Sequence, residues 1–241
     1  MAEFERQTST SYAGTQSAVD EGLRSYMLGI YNYMGIALGI TGVVAYFFNM
    51  WVMSSPELIQ AVYGSPLQWV IALAPLAFVF GISFGINKMS FATAQMVFWA
   101  FAVAMGLSLS SIFLRYTGES IAKVFFITAA TFGAMSLYGY TTKRDLTNWG
   151  SFLFMGLIGI IIASIVNIFL ASSALAFAIS IIGVLVFVGL TAYDTQKIKM
   201  MYVAGDAAAT MGKKMIMGAL TLYLDFINLF IMLLQLFGNR E

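Results

Sequence analysis

Seven apolar runs divide the chain, at about residues 26–48, 68–87, 92–113, 121–141, 149–171, 175–197 and 214–237. Each has about the ~20 residues a helix needs to cross a ~30 Å hydrocarbon layer. The runs are continuous and not alternating, which disfavours a transmembrane barrel. Composition agrees, because 60% hydrophobic and 10% charged residues lie far from the balance of a soluble domain. The expected fold is an all-α polytopic membrane protein with seven transmembrane helices over residues 26–238. The polar stretch 1–25 lacks the early apolar core of a signal peptide and reads as a flexible cytosolic tail.

Lys and Arg distribution sets the expected orientation. With the N-terminus inside, the inner segments hold Arg6, Arg24, Lys88, Lys143, Arg144, Lys197, Lys199, Lys213 and Lys214, and the outer ones Arg115, Lys123 and Arg240. The 49–67 loop carries no cation, as an outer loop should. The expectation is therefore a cytoplasmic N-terminus and an external C-terminus. It depends on 149–171 and 175–197 both spanning; a re-entrant hairpin at the short "ASSA" connection would move the C-terminus.

Several chemistries are excluded at once. The chain has no cysteine and no histidine, so it lacks disulfides, thiolate ligands, cysteine nucleophiles and the usual proton switch near neutral pH. Any pH sensing falls to carboxylates. A net charge of +1 gives no basic patch suited to nucleic acid.

Of the eleven acids, nine fall in the tail, loops or span ends. The other two are Asp194, in "GLTAYDTQKI" near the end of the sixth span, and Asp225, in "LYLDFINLF" well inside the seventh. No Lys or Arg sits deep in any span. On a helical wheel Gly218, Thr221, Asp225, Asn228, Met232 and Gln235 form one stripe, with Leu and Phe covering the rest. A charge facing lipid at mid-helix costs ~2.5–3.5 kcal/mol or more, so this polar seam should face the bundle interior or a water-filled cavity. Thr191, with Ser180 and Gly183, shares the face of Asp194.

The plain readings are that Asp194 sits at the interface beside Lys197 or Lys199, and that Asp225 only hydrogen-bonds a neighbouring helix. Asp225 fits its plain reading less well, since a short side chain cannot snorkel from mid-span. If the two acids face each other, both cannot ionise cheaply in a poorly hydrated site, so they should share a proton and titrate as a coupled pair. Losing that proton leaves repelling carboxylates that separate or admit a cation, and oxygen-only ligands suit a hard one such as Ca²⁺.

"LRSYMLGIYNYMGIALGITG" (23–42), "FFITAATFGAMSLYGYTTKRDLT" (125–147), "GLTAYDTQKI" (189–198) and "LYLDFINLFIMLLQLFG" (222–238) together resemble the bacterial branch of the Bax inhibitor-1 family. The resemblance implies a bundle whose last helix is central and wrapped by the other six. It implies a pH-sensitive Ca²⁺ leak across a bacterial plasma (inner) membrane, with a paired-aspartate site matching Asp194 and Asp225 and no tightly bound cofactor. Family members also resemble modulators of membrane proteases and of stress or cell-death pathways, so a non-conducting interaction protein is the alternative. One departure stands out: the arginine some members carry on the second helix has no counterpart in "LQWVIALAPLAFVFGISFGIN". An intramembrane aspartyl protease would also need two facing acids, but such enzymes use Gly-x-Gly-Asp where this chain has "LYLD". The chain is expected not to be an enzyme.

Overall fold

The computed structural model describes the backbone of residues 2–239 and the side chains of residues 20–239. It contains eight α-helices: α1 (Ala2–Val52), α2 (Pro56–Tyr63), α3 (Leu67–Gly85), α4 (Phe91–Leu109), α5 (Gly118–Thr141), α6 (Thr147–Leu170), α7 (Ser173–Met200) and α8 (Ala208–Phe237). A 3₁₀ turn, Ser110–Leu114, extends α4. Seven of these elements are long and apolar enough to cross a membrane, as the hydropathy pattern requires. The first candidate span falls within Asp20–Val52, the described part of α1, and includes the expected run 26–48; residues 1–19 of the expected tail lie outside the residues with described side chains.

Local chemistry marks the boundaries. Ser90 and Ser172 accept from the Thr93 and Leu175 amides at the starts of α4 and α7, and Thr117 accepts from the Ser120 amide at the start of α5. The 49–67 connection is not simply a loop, because Ser55 caps α2 and Pro56 opens it, a pairing that suits a first helical turn. The "ASSA" connection turns sharply through Ala171, whose φ of 47° places it in the left-handed region. It joins helices of 24 and 28 residues, so both legs are full spans and no re-entrant hairpin forms.

α8 is the most buried span: 67% of its apolar window is covered, against 39% or less in the others. It packs against α1, α3, α4, α5 and α7, whereas α6 lies on α7. A cavity lined by α6, α7 and α8 lies where α6 would otherwise meet α8. Thr41 of α1 ties three helices together, donating to the Ala102 carbonyl of α4 (2.9 Å) and pairing with the Tyr223 hydroxyl of α8 (2.6 Å). A second chain, Tyr31 to Ser136 (2.6 Å) and Ser136 to Thr195 (2.9 Å), links α1, α5 and α7. With lipid as apolar as any core, such bonds and close backbone packing carry the specificity of association.

α5 and α7 come close at Gly139 of α5, which lies directly against the Ala192 carbonyl of α7. A methyl group there would meet backbone, which cannot swing aside. Gly139→Ala is therefore expected to lower stability by about 1–3 kcal/mol despite alanine's better helix propensity, checked by thermal unfolding in detergent. An unchanged or raised Tm would contradict this packing.

Candidate functional site

Asp225 is fixed by its place on α8, one buried residue among Leu222, Tyr223, Phe226 and Leu229, all nearly inaccessible. Its carboxyl is only 5% exposed, and its Oδ2 atom has no hydrogen-bond partner. Asp194 of α7 lines the same cavity as Asp225. Two antiparallel helices thus bring the two sequence-selected acids together.

Both acids line a cavity of about 520 Å³ between α6, α7 and α8. Thr221 and Asn228 of the polar seam line it too, as do Gly150 and Ser151 at the start of α6 and Lys197 near the end of α7. The seam therefore faces a cavity over this stretch, as the cost of exposing it to lipid requires. Thr221 donates to the Met217 carbonyl (3.0 Å) and the Asn228 amide to the Leu224 carbonyl (2.8 Å), leaving each a lone-pair oxygen for the cavity. Phe187, Leu190, Leu157 and Leu224 form the apolar wall.

The remaining candidates lie elsewhere. Thr191 is fully buried beside the cavity and not on its lining, with its hydroxyl donating to the Phe187 carbonyl (2.7 Å). Gln235 sits at the opposite end of the bundle and pairs with Ser180 (2.8 Å). The two lysines offered as partners of Asp194 diverge. Lys199 donates to the Tyr140 carbonyl of α5 (2.8 Å), while Lys197 stays on the cavity rim, 5.9 Å from the centre of the Tyr193 ring. Among the described residues the single ion pair is Lys214 with Asp206 (2.6 Å), which closes the short 201–207 turn before α8.

Two supporting residues escaped sequence reasoning. Tyr193 lies where Gly150 has no side chain, which lets α6 approach α7 at the cavity mouth. Gln196, buried, accepts from the Leu146 amide (2.8 Å) and donates to the Arg144 carbonyl (2.8 Å), pinning the 142–146 connection on α7. A glutamine between threonine and lysine reads as interfacial, so only its partners reveal this role. In the same connection the Thr147 side chain, and then the Thr147 amide donating to Asp145 (2.9 Å), hold the exposed Asp145 carboxyl below the usual carboxylate range.

Fold and site together define a seven-span membrane protein with two aspartates from its last two helices in one cavity. The model of the family "Inhibitor of apoptosis-promoting Bax1" matches residues 23–241, and the chain belongs to that Bax inhibitor-1 family. It is 52% identical over 224 residues to an uncharacterized protein of Rickettsia prowazekii, covering 92% of each chain. It is 49% identical over 223 residues to the inner membrane protein YbhL of Escherichia coli K12, covering 91% of this chain and 94% of that one. A Caulobacter vibrioides protein is also 49% identical, over 232 residues. YbhL is an inner membrane protein, and this chain has seven helices long and apolar enough to cross a membrane.

The absence of cysteine makes the cavity directly testable. Thr221→Cys, on the cavity, is expected to react with a water-soluble maleimide at least ten times faster than Leu222→Cys, one residue on but fully buried. Equal rates would mean that the cavity is not hydrated.

Proposed function

We propose that this protein is a pH-sensitive leak pathway for Ca²⁺, gated by the protonation state of the Asp194–Asp225 pair. The observation that carries the reading is that both residues line one cavity, with the Oδ2 of Asp225 buried and unpartnered. An acceptor without a donor in a low-dielectric site is costly, and a shared proton supplies the missing donor. That proton clamps α7 against α8.

Deprotonation reverses the balance. Two carboxylates side by side repel strongly where water is scarce. They relieve the repulsion by parting, or by taking up a cation through their oxygens with help from Thr221 and Asn228. Two carboxyl groups fall short of the ~6–8 oxygens that Ca²⁺ prefers, so the ion is held loosely and passes on, as conduction requires. Lys197 on the rim opposes cation entry and keeps the leak small. No catalytic step and no resident cofactor enter this scheme. The lysine-rich end of the bundle, with the N-terminus, faces the cytoplasm in this reading, following the excess of Lys and Arg there.

The gating sign follows from the proton's role. Flux rises with pH, because the clamp is present when the pair holds its proton and lost when it does not. Ca²⁺ entry into dye-loaded proteoliposomes is expected to increase several-fold between about pH 6 and pH 8. Asp194→Asn or Asp225→Asn should abolish that dependence, since a carboxamide neither loses a proton in this range nor repels its neighbour. Absence of flux at every pH would overturn the leak and favour a protein that acts by binding, on a membrane protease or a stress or cell-death pathway. Unaltered pH dependence in both variants would place the sensor elsewhere.

A further inference from the structure

A second cavity, of about 690 Å³, lies at the other end of the same three helices. Ser164 and Asn167 of α6, Ser172 and Ser180 near the start of α7 and Gln235 of α8 line it, with Arg115 at the rim. Gln235 is the last member of the polar seam that begins at Thr221, and the aspartate pair makes no use of it. A seam that runs past the acids to a second polar cavity implies that water meets α8 at two separate depths.

What separates the two cavities is short and apolar. Asn228, the deepest α8 residue of the first, and Gln235 of the second are seven positions apart, or about 10 Å along a helix. Met232 lies between them, its Cγ and Sδ 2.8 Å from where a Cβ on Gly183 of α7 would stand. Val186 of α7 packs in the same way over Gly156 of α6, at 2.9 Å. Methionine is unbranched and has three side-chain torsions, so it can leave a notch without moving its helix. Between the cavities, then, one flexible side chain is seated where glycine leaves room, among stiffer apolar residues that include Ile160, Val186 and Phe187.

We propose that the two cavities are the two mouths of a single water route along α6, α7 and α8, and that Met232 seated against Gly183 is its removable plug. The proposal rests on the leak reading above and names where the cation leaves the bundle. No acid lines the second mouth, so hydroxyl and amide oxygens would hold a cation only weakly there and release it readily.

Single cysteines in this cysteine-free chain test the route independently of ion flux. In sealed vesicles, a membrane-impermeant maleimide is expected to reach Asn228→Cys only from the Lys197 face and Gln235→Cys only from the Arg115 face. Adding Met232→Ala should make Asn228→Cys reactive from the Arg115 face at least ten times faster than in the single variant. Met232→Leu, which keeps the volume, should leave it blocked and so controls for loss of fold. Continued blockage with Met232→Ala, or a Gln235→Cys that never reacts, would overturn the proposal. Labelling as expected in a protein that passes no Ca²⁺ would uphold the route and overturn the leak. Ca²⁺ flux with Asn228→Cys still blocked would uphold the leak and overturn this route.

Discussion

A carboxyl group halfway along the most buried helix of a membrane bundle is the constraint around which the rest is arranged. It cannot reach the interface, and hydrocarbon offers it no partner. The structure answers with three features acting together. Asp194 comes alongside it from the antiparallel α7, and α6 stands away from α8 to leave a cavity. The packing of Gly150 under Tyr193 and of Gly139 against Ala192 holds α5, α6 and α7 in the positions that keep that cavity open. If α6 packed fully on α8, as the simplest bundle would have it, the acids would be dry. The gap where one helix stands off is what makes them usable.

The division of labour among the helices follows. On one side of α8, Thr41 and Tyr223 fix α1 and α4 through hydrogen bonds that are fully buried. On the other, contact with α7 includes Met232 seated at Gly183, beside the Ser180–Gln235 hydrogen bond nearer the end of the bundle. Hydrogen-bonded, satisfied contacts resist movement, whereas a methionine in a glycine notch has alternatives of similar energy. In the proposed leak the mobile elements belong on the second side, which is where both cavities lie.

Much of this was legible in the sequence. Hydropathy located the spans because a bilayer demands continuous apolar length, and the two acids stood out because nothing else charged lies as deep. The seam over Thr221, Asp225 and Asn228 followed from helical spacing alone. Other features were hidden for physical reasons. α2 is too short for periodicity to register, and only the Ser55–Pro56 start betrays it. The role of Gln196 depends on backbone groups fifty residues away, and Thr191 satisfies its own helix and not the cavity, a choice that spacing cannot reveal. The place of α6 depends on which helix it leans against, and that is set by glycine notches whose partners lie on other helices.

The central claim is that Asp194 and Asp225 share one proton, and infrared difference spectroscopy of the reconstituted protein tests it most directly. A carbonyl band of a protonated carboxylic acid should be present near pH 6 and decline toward pH 8 as a carboxylate band grows. That band should be absent in the Asp194→Asn, Asp225→Asn double variant. A native spectrum with no such band at pH 6, both acids being ionised throughout, would contradict the shared proton and remove the basis for gating by this pair.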